Sequence, residues 1–137
     1  MNVPSCRVSF RALAVVLWFG FFPLLAAPPI LVSVSPSNGA IDILNSASIE
    51  FTFDQPMDED TLVPGFSGIA ASINFSPSIN LSPSWNLEST VITMEPDESL
   101  GLFTPGTQCT WTFNPAGAFV TLKSAKGEAL AMRTGIF

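Results

Sequence analysis

Histidine is absent from this 137-residue chain, and cysteine occurs only twice, at Cys6 and Cys109. Those gaps exclude His-dependent triads, Cys–His nucleophiles and zinc sites built on Cys and His, because each needs an imidazole or several thiolates. Positive charge is nearly as scarce, with five Lys and Arg against eleven Asp and Glu. A surface of that sign repels phosphate backbones and anionic headgroups, so no nucleic-acid partner is expected. Amphipathic helical patterning is almost missing too. Its nearest approach is MDEDTLV, residues 57–63, where Met57, Thr61 and Leu62 share a side. Asp58, Glu59 and Asp60 there suit the positive end of a helix dipole.

What is present divides near residue 26. Arg7 and Arg11 precede an apolar run from Ala12 to Ala27 that ends in small residues. A basic start, an apolar stretch and a small-residue end are the parts of a secretory signal peptide, with the cut expected after Ala26. Leu24 is bulky for its place in the cleavage site, so the alternative is an uncut anchor. Membrane contact would then run through residues 12–32 alone, enough to cross a bilayer. The protein is thus expected to be exported, extracellular or on the cell surface. Removing residues 1–26 leaves 27–137, with Lys123, Lys126 and Arg133 against all eleven acids, a net charge of −8. That length suits one sandwich domain. Cys6 leaves with the leader, so Cys109 has no intrachain partner even in an oxidising compartment.

From residue 30 onward, strand patterns alternate with turn residues. ILVSVS (30–35) places Val32 and Val34 on one parity, followed by the turn PSNG (36–39). ASIEFTF (47–53) is the clearest strand, with Ile49, Phe51 and Phe53 on its buried side. ASINFS (71–76) and INLSPSW (79–85) follow, and Pro77 and Pro83 confine them to edges or bends. STVITMEP (89–96) and TQCTWTF (107–113) read as strands, the latter with Cys109, Trp111 and Phe113 on one side. AFVTL (118–122) is expected as another, before the turn KSAKGEA and a last short segment, MRTGIF. Twelve prolines and nine glycines complete the pattern of an all-β domain of about seven strands.

The residues also resemble a known family. Pro36, Asn38, Gly39 and Ala40, then Phe53, Pro56, Met57 and Asp58, are similar to the P-x-N-G-A and F-x-x-P-M-D blocks that open bacterial Ig-like domains of the SbsA type, found in S-layer and other surface proteins. FTPGTQCTWTF and, more loosely, KSAKGEAL match later blocks, so the resemblance covers nearly all of 28–137. Cys109 stands where the family usually has tyrosine, and Glu128 where it usually has asparagine. The chain stops at TGIF, which is expected to shorten or truncate the last strand. The resemblance implies an Ig-like β-sandwich over 27–137 that acts as a spacer or adhesion module of an exported protein. It implies no catalytic residue and no cofactor, so no enzyme is expected. The implied partners are other surface-protein domains or an extracellular ligand, a glycan included.

Several residues invite a sharper reading. Asp54, Asp58 and Asp60 carry enough oxygens to contribute to a calcium site, yet DQPMDED has neither the spacing nor the turn glycine of a calcium loop. A solvated acidic loop after a core strand is the expected reading. GFSG (65–68) lacks the nucleophile-elbow spacing, and SAK (124–126) reads as a turn. No pair of acids is placed for glycoside hydrolysis. Trp111 shares parity with Phe113 and belongs to the core, and Cys109 is expected to be buried and inert. Trp85, in a proline- and serine-rich stretch, is the candidate for an exposed sugar-stacking platform, with Asn80 and Asn86 beside it. On that alternative the chain is a carbohydrate-binding accessory domain.

Overall fold

The computed structural model describes residues 26–44, 46–65, 71–97 and 106–137. The expected leader, apart from Ala26, lies outside the described residues. The strands are β1 (Leu31–Ser35), β2 (Ile49–Phe53), β3 (Pro64–Gly65), β4 (Ile73–Ser76), β5 (Leu81–Trp85), β6 (Val91–Pro96), β7 (Thr110–Phe113) and β8 (Arg133–Ile136). They form two sheets, ordered β1-β2-β6-β5 and β3-β4-β7-β8. Apart from β3, a two-residue parallel addition beside β4 that the sequence pattern did not suggest, all pairings are antiparallel. The seven longer strands reproduce the four-on-three order of a constant-type Ig sandwich.

Alternation explains the core. Ile49, Phe51 and Phe53 of β2 face Ile73 and Phe75 of β4 and Trp111 and Phe113 of β7, all buried. Phe51 joins the two sheets edge to face: its ring lies 5.2 Å from Trp111 and 4.9 Å from Phe113. Such contacts add roughly 1 kcal/mol each beyond area burial. They occupy the β2–β7 contact where antibody domains place an inter-sheet disulfide.

Three details differ from the sequence reading. Val32 is exposed while Val34 is half-buried, because the β1–β2 register shifts between Leu31 and Ser33 and breaks the parity. Residues 118–122 form no strand. The Leu122 N–H donates to Asn114 Oδ1 and its carbonyl accepts from Asn114 Nδ2, so an amide side chain replaces a neighbouring strand. The helical patterning at 57–63 condenses to one 3-10 turn, Glu59–Thr61, capped by Asp58, with Met57 buried before it. β8 pairs with β7 along all four residues, and Phe137 exchanges both backbone bonds with Cys109.

The free edges are blunted, as soluble sheets require. β5 ends its sheet with Pro83 inside it, and β1 carries the irregularity at Val32. On β8, Asn38 Oδ1 accepts from the Ile136 N–H at 2.6 Å, and the Gly39 N–H donates to the Ile136 carbonyl at 2.6 Å. Gly39 sits at φ +82°, a region that costs most side chains strain. The NG of the sequence motif is thus the lock that carries the chain from the first sheet across to the edge of the second.

Candidate functional site: the two poles

Among the described residues, both outer faces carry mainly small polar side chains. The first sheet turns out Ser33, Ser35, Glu50, Thr52, Thr93 and Ser84, by the register of its strands. The second turns out Asn74, Thr112 and Thr134 in one row, with the two threonine hydroxyls 3.0 Å apart.

The loops gather at two poles. Residues 26–30, the β2–β3 loop (54–63), the β5–β6 turn (86–90) and the β7–β8 loop (114–132) meet at the first, here the entry pole. They are braced together by backbone bonds: Met57 N–H to Ser89 O at 2.8 Å, Asp58 N–H to Lys123 O at 2.9 Å, and Ala125 N–H to Pro56 O at 2.9 Å. The chain start is pinned there as well. The Ile30 N–H donates to Asp54 Oδ1 at 2.7 Å, and Gln55 Nε2 donates to Ala27 O at 2.9 Å. The opposite, exit pole holds the β1–β2 loop and the β4–β5 turn, together with the end of β8.

Four of the six acids of the entry pole accept hydrogen bonds within it. Asp54 caps Ile30, Asp58 Oδ1 accepts from the Asp60 N–H, Glu59 accepts from the Ser89 hydroxyl at 2.6 Å, and Glu88 accepts from Asn86. Among the described residues, no three His, Cys, Asp or Glu converge as a metal site would need. The acidic loop is a set of caps and braces.

Trp85 is half-buried, not open: its ring packs against the core and lies 6.3 Å from Phe53. Asn86 is committed to the β5–β6 turn. Its Oδ1 accepts from Thr90 N–H and Val91 N–H, and its Nδ2 donates to Glu88 and the Thr90 hydroxyl. Asn80 is half-buried at the exit pole, just before β5 begins, and its carbonyl accepts from Asp97 N–H. Trp85 and Asn80 thus sit toward opposite ends of β5. Cys109 is buried beside Trp111, and desolvation pushes its thiol up to about 11. It stays protonated and unreactive at neutral pH.

Sequence reasoning missed Asn114. At φ +46°, a conformation asparagine tolerates, its amide binds Leu122 N–H, Leu122 O and Leu130 O, the last at 2.6 Å. One side chain therefore folds the whole β7–β8 loop onto the core through Leu122 and Leu130. Replacing it with alanine should cost about 2 kcal/mol, read as a lower urea midpoint with an unchanged slope.

The strand order is that of an Ig-like sandwich, and a family profile described as bacterial Ig-like domain matches residues 26–134. The chain belongs to the bacterial Ig-like domain family. Neither a search of curated proteins nor one of solved structures finds a match. Bacterial Ig-like domains are typical of surface proteins and are generally not catalytic. In this bacterial Ig-like domain the tyrosine expected at the start of β7 is Cys109, whose backbone still pairs in both directions with Phe137.

Proposed function

We propose that this chain is a non-catalytic module of an exported bacterial surface protein, built to hold distance and carry tension. The observation behind this reading is the placement of its two ends. Ala27 and Ile30 are fixed at the entry pole, whereas Ile136 and Phe137 are fixed at the exit pole, the length of the sandwich away. A pull between them runs along the strands. It therefore loads the β1–β2 and β7–β8 ladders in shear, stressing several hydrogen bonds at once rather than one after another. The leader supplies export, and the hydrophilic outer faces suit a module surrounded by water.

Force spectroscopy tests this directly. With the full chain held through residue 27 and Phe137, stretching should give one sharp rupture that releases about 340 Å of chain, from ~3.4 Å per extended residue less the folded length. Smooth lengthening without a rupture peak would remove the tension-bearing role.

A further inference from the structure

Of the seven asparagines in this chain, only Asn38 is followed by glycine. That pairing is where an asparagine side chain reacts most readily with its own backbone, because the next residue has no Cβ to hinder the approach. Both residues are exposed, and no neighbouring atom lies within 4 Å of the place a Cβ would take on Gly39. The restraint on this pair is therefore hydrogen bonding and not packing.

The two groups that must meet are both committed to Ile136 of β8. Asn38 Oδ1 accepts from the Ile136 N–H, and the Gly39 N–H donates to the Ile136 carbonyl, each at 2.6 Å. The Ala40 N–H donates to the Ser37 carbonyl at 2.9 Å and closes the turn around them, with Gly39 at φ +82°. To reach the Gly39 nitrogen, the Asn38 carboxamide must swing off Ile136, and the nitrogen must give up its own bond. Neither bond belongs to the β7–β8 ladder. Cys109 and Phe137 exchange both of theirs, so alternation turns the N–H and carbonyl of Ile136 outward, away from Thr110.

We propose that Asn38 is a self-modification site, held closed by docked β8 and opened when that strand leaves. With Ile136 gone, the Gly39 nitrogen attacks Asn38 Cγ. A C–N bond forms, the side-chain nitrogen departs as ammonia, and the Gly39 amide proton leaves with it. Water then opens the cyclic imide at either carbonyl. Opening at Cγ leaves aspartate at position 38, whereas opening at the main-chain carbonyl leaves iso-aspartate, with the backbone rerouted through Cγ. Water is the sole co-reactant. The lost ammonia is not regained, so the change is permanent. The chemistry is slow beside the opening of a strand, so it accumulates with the total time β8 spends undocked. This goes beyond the spacer reading and does not require it, although a pull on Phe137 acts on this same strand.

The test is peptide mass mapping of the full chain purified after export, held at neutral pH either folded or in urea. It reads conversion of the amide at position 38 to an acid. Conversion in the folded chain should be slower by roughly thirtyfold or more, the factor that two net hydrogen bonds supply. Ile136→Pro removes the donor to Asn38 without removing a ladder bond, at an outward edge position that tolerates proline. It should restore most of the lost rate while a thermal melt still shows a folded chain. Should that variant misfold, hydrogen exchange on the parent decides instead. The fraction of time the Gly39 amide is open should match the slowing of conversion within about threefold. Equal rates in the folded and unfolded parent overturn the proposal. So does a folded Ile136→Pro variant that converts no faster than the parent, or Gly39 exchange out of proportion to conversion. None of these readouts involves force, so this proposal and the rupture measurement fail separately.

Discussion

Phe51→Ala should destabilise the domain by about 4 kcal/mol, lowering its melting temperature by roughly 20 °C. The ring is fully buried in the middle strand of one sheet and touches both Trp111 and Phe113 of the other. Truncation therefore leaves a cavity between the sheets and removes two edge-to-face contacts at once. The partners cannot collapse into the space, because β2 and β7 are each held by a strand on either side. Phe53→Ala offers the comparison. Phe53 lies nearer the entry pole, contacting Phe113 at 5.8 Å and Trp85 at 6.3 Å, and should cost less. Thermal melts of the two variants against the parent decide the matter, and an equal or smaller loss for Phe51→Ala would show that the join is not central.

Gly135→Ala should be nearly as damaging, although it adds a single methyl group. Gly135 sits directly across from Trp111 in the β7–β8 pairing, with the indole close against it. A Cβ there would overlap the six-membered ring of Trp111 and reach 2.8 Å from Asn38 Oδ1. Either the indole or the β8 edge must move, and the second would break the bond from the Ile136 N–H to Asn38. Overpacking of this kind costs about 3 kcal/mol when the neighbours are hemmed in. The cause can be isolated with a double-mutant cycle. Trp111→Phe removes the ring atoms that collide, along with an indole nitrogen that is buried without a partner. Gly135→Ala should therefore cost at most about 1 kcal/mol in the Trp111→Phe background, and strict additivity would refute the collision.

The strands were readable because their side chains obey a period of two and because proline and glycine punctuate them. Ile49, Phe51 and Phe53 are an example in which pattern, burial and pairing agree. Val32 shows the limit: a one-residue slip in register reverses a face, and nothing in ILVSVS marks it. AFVTL alternates as a strand does, but its hydrogen bonds go to Asn114, a partner four residues before the segment begins. The poles were less legible still. Leu87, Phe119, Ile41 and Leu44 are far apart in sequence and look like ordinary loop residues, until the strand order sorts the loops into two groups. Trp85 was singled out for its proline- and serine-rich surroundings, yet the facing Phe53 belongs to a strand more than thirty residues earlier, beyond the reach of local pattern.

The aromatic join between β2 and β7 has one more consequence. A covalent bridge at that position would shield the loop it encloses from a pull, and its fate would depend on the redox state of the surroundings. Here nothing permanent ties the sheets, so the entire sandwich can be drawn out under strain and wound back when the strain is released. A row of such units would act as a recoverable reserve of length whose release requires no reductant.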